Sequence, residues 1–137
     1  MHDRSVTVSE SGNGPYGQFV TAGRHVFGAD EPESLGGRDT GPDPYELVLA
    51  GLGACTAMTI RMFADRKKIP LARIEVRLRH VQRASSGRDM TDKIERIIRL
   101  EGELTPEQRQ TLLEIAEKCP VSRTLRLGSE IASSLAS

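Results

Sequence analysis

The chain has 137 residues, 37% hydrophobic but only 4% aromatic, with no Trp, and its 19 basic residues balance 19 acidic ones. A formal charge of zero gives no electrostatic footprint for nucleic acid or an anionic membrane surface, which sets both partners aside. The length fits one domain spanning 1–137, and a core this poor in aromatics points to extra burial in a dimer.

The N-terminus, MHDRSVTVSE, lacks the apolar run of a signal peptide, and no stretch reads as the roughly 20 apolar residues of a membrane span. A cytoplasmic location is therefore expected. There, two cysteines point to a transient, catalytic pair more than to a permanent staple.

In chain order, SVTVSE (5–10) and GQFVTA (17–22) alternate around the turn formers of SGNGPY and read as a β-hairpin. RHVFGAD (24–30) follows as a third short strand. The stretch Glu31 to Asp43, EPESLGGRDTGPD, reads as an irregular surface loop.

DPYELVLAGLGACTAMTIRMFADRKK then starts a helix, with Asp43 as N-cap, Pro44 at the first helical position and Glu46 three residues after the cap. Small or apolar residues fill nearly every position from Leu47 to Ile60, the pattern of a helix buried on all sides. Its basic end suits the macrodipole, and Ile69-Pro70 closes it.

ARIEVRLRHVQRA (72–84) and KIERIIRLEGEL (93–104) alternate apolar with charged residues around the turn residues SSGRDMTD, which predicts two long antiparallel strands with one wet face. In the first, Ile74, Val76, Leu78 and His80 share a face opposite Arg73, Glu75, Arg77 and Arg79. A second helix begins at the capping box Thr105-Pro106-Glu107-Gln108 and ends near Cys119. Pro120 opens a further short helix, and GSEIASSLAS suggests a last strand and a frayed tail. The order is that of an α+β chain with mostly antiparallel strands.

Chemistry centres on the thiols. Cys55, set among Gly, Ala and Thr, is either a packing cysteine or a reactive one. Cys119 sits where one helix stops and the next begins, near helix-terminal N–H groups that can favour a thiolate. A metal site is not expected: His2, His25 and His80 are scattered, and neither cysteine belongs to a C-x-x-C motif.

A buried nucleophilic thiol needs a nearby cation, and arginine, which keeps its charge, is the natural one. Arg24 and Arg38 in the turn-rich N-terminal part are the candidates, since Arg61 lies two turns beyond Cys55. Glu46 either orients such an arginine or serves only the capping box.

GPDPYELVLAGLGACTAMT, followed by two alternating strands and then by LLEIAEKCPVSRTL, resembles the OsmC/Ohr family of osmotically inducible and organic hydroperoxide resistance proteins, in a less characterised OsmC-like branch. The resemblance runs from about Val6 to Ile131. It implies an OsmC-like fold: antiparallel sheets wrapped around central helices in an intertwined homodimer.

It also implies a thiol peroxidase acting on small organic hydroperoxides. A peroxidatic cysteine matching Cys55 forms a sulfenic acid, and a resolving cysteine matching Cys119 traps it as a disulfide. An external dithiol reductant, lipoyl-type or another thiol, restores both, with no bound cofactor.

Two departures stand out. The family's glutamate lies ten residues before the peroxidatic cysteine, where this chain has Tyr45; Glu46 lies nine before, a turn of about 100° on a helix. The family's arginine lies in the first hairpin turn, which has none here, leaving Arg24 or Arg38 as substitutes. The alternative to a peroxidase is a noncatalytic or redox-responsive binding dimer with an altered activating shell.

Overall fold

The computed structural model describes residues 4–82 and 92–136. These form β1 (Val6–Glu10), β2 (Gln18–Ala22), β3 (His25–Ala29), a 3-10 turn (Glu33–Leu35), α1 (Pro44–Arg66), β4 (Leu71–Gln82), β5 (Lys93–Gly102), α2 (Pro106–Ala116) and α3 (Pro120–Leu127). His2, the end of the predicted 72–84 strand and, apart from Asp92, the predicted SSGRDMTD turn lie outside the described residues. The chain divides into two compact units, the first ending at Val48 and the second beginning at Leu49.

The first unit is built on the antiparallel sheet β1-β2-β3. Val8 pairs with Val20 and Val20 with Phe27. The alternation seen in the sequence thus becomes a meander, with Gly12 (φ 86°) and Gly14 (φ 69°) supplying the left-handed backbone of its first turn. Val20 and Ala29 are buried, while Val6, Val8 and Val26 stay exposed.

The segment after β3 is more ordered than the expected irregular loop, and the cause is Asp30. Its carboxylate is buried and accepts hydrogen bonds from the backbone N–H groups of Glu31, Arg38 and Thr40 and from the Thr40 hydroxyl at 2.7 Å. One acidic side chain thereby gathers a ten-residue excursion. The Thr40 hydroxyl, with the three N–H donors, holds Asp30 below its usual 3.8 against the opposing effect of burial. Gly37 is required by close approach, since a Cβ there would lie 2.0 Å from the Glu31 carbonyl oxygen. The unit ends in the predicted capping box: Glu46 N–H donates to Asp43 Oδ1, and Asp43 N–H donates to Glu46 Oε1.

In the second unit α1 is not buried all round, which corrects the sequence expectation. Leu52, Gly53, Thr56, Ile60 and Ala64 form one buried stripe, while Gly51, Ala54, Met58 and Met62 lie on an exposed side. The small residues therefore do two things. At Gly53 an added Cβ would sit 2.7 Å from Leu78 Cδ1, so β4 rests directly on the helix there; at Gly51 nothing lies within 4 Å.

A second correction concerns length: α1 is long and apolar enough to cross a membrane by those criteria. In this fold its apolar stripe packs into protein. Ile60 and Ala64 join Leu71, Leu112 and Ala116 in the core, flanked by Phe63, Ile74, Ile98 and Leu100.

β4 and β5 pair antiparallel in the register Ile74 with Leu100, Val76 with Ile98 and Leu78 with Arg96. The wet face carries the cross-strand ion pairs Arg73–Glu101 and Arg79–Glu95, exposed pairs of the kind that contribute little to stability. α2 starts with the full Thr105–Gln108 capping box. The predicted strand in GSEIASSLAS does not form: residues 128–136 carry no regular structure, and Ile131 and Leu135 are exposed, so that short apolar pattern finds no partner strand to complete it.

Candidate active site

The site is assembled from α1, β5 and the junction of α2 with α3. Cys119 is the N-cap of α3, with Pro120 at the first helical position. Its extended backbone leaves the thiol facing the helix start, where Ser122 N–H donates to Sγ at 3.3 Å. The sulfur takes the place usually held by a Ser or Asp oxygen. Cys119 is fully buried.

α1 delivers the second thiol. Cys55 is partly exposed and, like Cys119, free; its side chain lies near that of Cys119, and the Thr56 hydroxyl beside it on α1 is 3.8 Å from the Cys119 sulfur, although 64 positions separate the two cysteines in sequence. Cys55 also contacts the Thr59 hydroxyl one turn on, at 4.0 Å. The fold thus brings together the two cysteines that the sequence singled out.

The next residue, Thr56, is fully buried and its hydroxyl has three partners. It donates to the Leu52 carbonyl at 2.7 Å, accepts from Arg96 Nη1 at 2.9 Å and lies 3.8 Å from Cys119 Sγ. A hydroxyl has one proton and two lone pairs. With the proton committed to Leu52, the Cys119 contact is satisfied when the thiol is the donor; a thiolate would draw the hydroxyl proton to itself.

Arg96 is the cation of the site and is absent from the sequence-derived candidates. Its side chain is only 11% exposed and meets Glu117 Oε1 at 3.4 Å. Glu117, at the end of α2, also binds Arg126 of α3 through its other oxygen. Burial pushes the Cys119 thiol up, but the Ser122 N–H, the Cys55 and Thr56 side chains and the Arg96 charge together outweigh it and leave Cys119 below its ordinary 9.0.

The signal for Arg96 was present in β5. Ile94, Arg96, Ile98 and Leu100 alternate on one face, and Ile98 and Leu100 pack on the core; an arginine in that register is a charge where the pattern calls for an aliphatic residue.

The other predicted site residues, Arg24, Arg38 and Glu46, lie in the first unit. Arg24 is exposed at the β2–β3 turn. Arg38 lays its side chain across the first hairpin turn, where a Cβ on Gly14 would come within 2.8 Å of its Cγ. Glu46 serves the capping box described above. Arg61 donates to the Leu71 carbonyl and pairs with Asp65. His25 is exposed on β3, and His80 meets Asp92 at 2.6 Å.

Antiparallel sheets, a long small-residue helix and a pair of free thiols set between that helix and the start of another define an α+β thiol protein. Residues 36–134 match the family described as OsmC-like protein, and the chain belongs to that family. No curated protein matches it in sequence.

Among solved structures it is similar to the organic hydroperoxide resistance protein OsmC of Legionella pneumophila (22% identity, 92% of this chain and 90% of that one, TM-score 0.72). It is also similar to an OsmC-like protein of Mycoplasma pneumoniae (15%, 91% and 88%, 0.77). A third is the organic hydroperoxide resistance protein of Elizabethkingia anophelis crystallised with thiocyanate (22%, 92% and 89%, 0.71). At these identities the likeness is one of fold, and it is the expected α+β OsmC-like fold.

Proposed function

We propose that the protein is a thiol peroxidase that reduces small organic hydroperoxides with Cys55 as nucleophile and Cys119 as resolver. The observation that carries this reading is the pair of free thiols that the fold sets near each other, Cys55 on α1 and Cys119 at the start of α3. The Cys55 thiolate attacks one peroxide oxygen: an S–O bond forms, the O–O bond breaks, and the alkoxide leaves as alcohol after taking a proton. Cys119 then attacks the Cys55 sulfur of the sulfenic acid, forming S–S and releasing the oxygen as water. An external dithiol reduces the disulfide by exchange.

Partial exposure of Cys55 and full burial of Cys119 suit this order, because peroxide must reach the first sulfur while only a neighbouring sulfur must reach the second. Arg24 or Arg38 stands in this reading for the family's arginine, which the resemblance puts in the first hairpin turn, the turn that the Arg38 side chain lies across. The cycle needs no bound cofactor. The protein works as a homodimer in the cytoplasm, where thiols are kept reduced; the exposed Val6, Val8, Val26, Met58 and Met62 are the apolar area a partner copy would cover.

A second reading is a redox-responsive dimer without fast turnover, favoured by the commitment of Glu46 to the helix cap. Hydroperoxide consumption with a dithiol reductant separates the two. Turnover by the wild type and its loss in Cys55→Ser support the peroxidase, whereas equal rates in both proteins refute it.

A further inference from the structure

We infer that Arg96, held in place by Glu117, is the residue that sets the charge of the thiol pair, acting on Cys119 directly and through Thr56. The inference rests on the reading of Cys55 and Cys119 as a working redox pair and names the groups that tune it.

The first observation is where Arg96 stands. It shares a strand face with Ile98 and Leu100, which pack on the core, and its register partner on β4 is Leu78. Placing a guanidinium among aliphatic side chains carries a desolvation penalty that an apolar residue would avoid. The wet face of the same strand already accommodates charge, so the sheet itself has no need of a cation on the inner face.

The second observation is how Arg96 is aimed. Its Nη1 reaches the fully buried Thr56 hydroxyl, which contacts Cys119 Sγ, and its Nη2 is tied to Glu117. Glu117 is in turn fixed by Arg126 through side chain and backbone carbonyl. The contacts run unbroken from the surface of α3 to the buried sulfur. Arg96 and Arg126 with Glu117 carry one net positive charge, which one thiolate balances. With Cys119 in that form, attack on a Cys55 sulfenic acid needs no separate base: S–S forms, S–O breaks, and the departing hydroxide takes its proton from solvent.

The groups that face Cys119 are Cys55 and Thr56 from α1, Arg96 from β5 and the Ser122 N–H from α3. Among these Arg96 is the fixed charge. Glu117 is a positioning residue, because it acts through Arg96. That assignment makes a prediction opposite in sign to simple charge: neutralising a nearby carboxylate should ease thiolate formation, whereas releasing a positioned arginine should hinder it.

The test uses the full chain in a Cys55→Ser background, which leaves Cys119 as its single thiol. The midpoint of thiolate formation is followed by ultraviolet absorbance, with the Cys55→Ser/Cys119→Ser protein subtracted for tyrosine. Arg96→Met should raise the Cys119 midpoint by about one pH unit or more, Arg96→Lys should restore most of it, and Glu117→Gln should raise it by less than Arg96→Met. An unmoved midpoint in Arg96→Met, or a lowered one in Glu117→Gln, overturns the inference. The titration involves no peroxide, so an inactive protein with these midpoints would sink the peroxidase reading alone, and an active one with unmoved midpoints would sink this inference alone.

Discussion

Arg96 on β5 donates a 2.9 Å hydrogen bond to Thr56 on α1, linking a strand cation to the residue beside one cysteine and in contact with the other. Thr56→Val keeps the shape but removes the acceptor for a guanidinium that is 11% exposed. Leaving a buried donor unsatisfied costs about 1–3 kcal/mol. Urea unfolding should show that loss in Thr56→Val and only a fraction of it in Thr56→Ser.

The two glycines flanking Leu52 should respond differently to alanine. At Gly51 an added methyl meets nothing within 4 Å, so the helix preference for Ala over Gly is expressed in full, about 1 kcal/mol of added stability. At Gly53 the methyl meets Leu78 Cδ1 at 2.7 Å, and overpacking of about 1–3 kcal/mol offsets or exceeds the same gain. Thermal unfolding should therefore rank Gly51→Ala above wild type and Gly53→Ala clearly below Gly51→Ala; equal shifts would contradict the close approach of β4.

Asp30 gives a pH-dependent prediction. Its pKa in the folded chain lies below the usual 3.8, so the charged form is favoured by folding. The stability it contributes is present in full above the unfolded value and is lost as pH falls through the lower folded value. Asp30→Asn should loosen residues 31–40 and speed their proteolysis near neutral pH, and the stability gap from wild type should close below pH 3.8. A gap that persists unchanged in acid would rule out the carboxylate as its source.

Leu112 is fully buried in the cluster that joins α1, β4 and α2. Leu112→Ala should cost about 2–5 kcal/mol, read by denaturant unfolding, without removing either thiol.

Local rules made much of this architecture legible in the sequence. Turn residues and alternation marked the first hairpin. The pairs Asp43/Glu46 and Thr105/Gln108 marked two helix starts, and Cys119-Pro120 marked a third. Both cysteines of the candidate site were named from their surroundings. What escaped depends on tertiary neighbours. Asp30 became an organiser because the chain returns to it at Arg38 and Thr40, a closure no spacing rule encodes. Arg96 sat in a strand that alternated well enough to pass as ordinary, and only the identity of its face shows that the charge points inward. The weak final strand pattern found no edge to pair with, and one side of α1 that reads as buried is left open by the chain itself.

The most direct test of the account is to add one equivalent of an organic hydroperoxide to the fully reduced protein and to map its cysteines by mass spectrometry under non-reducing conditions. The account predicts a Cys55–Cys119 disulfide within one chain, stoichiometric with the alcohol produced, and a stable sulfenic acid on Cys55 when Cys119→Ser is used instead. Two thiols left intact beside unconsumed hydroperoxide, or oxidation confined to Cys119, would contradict it.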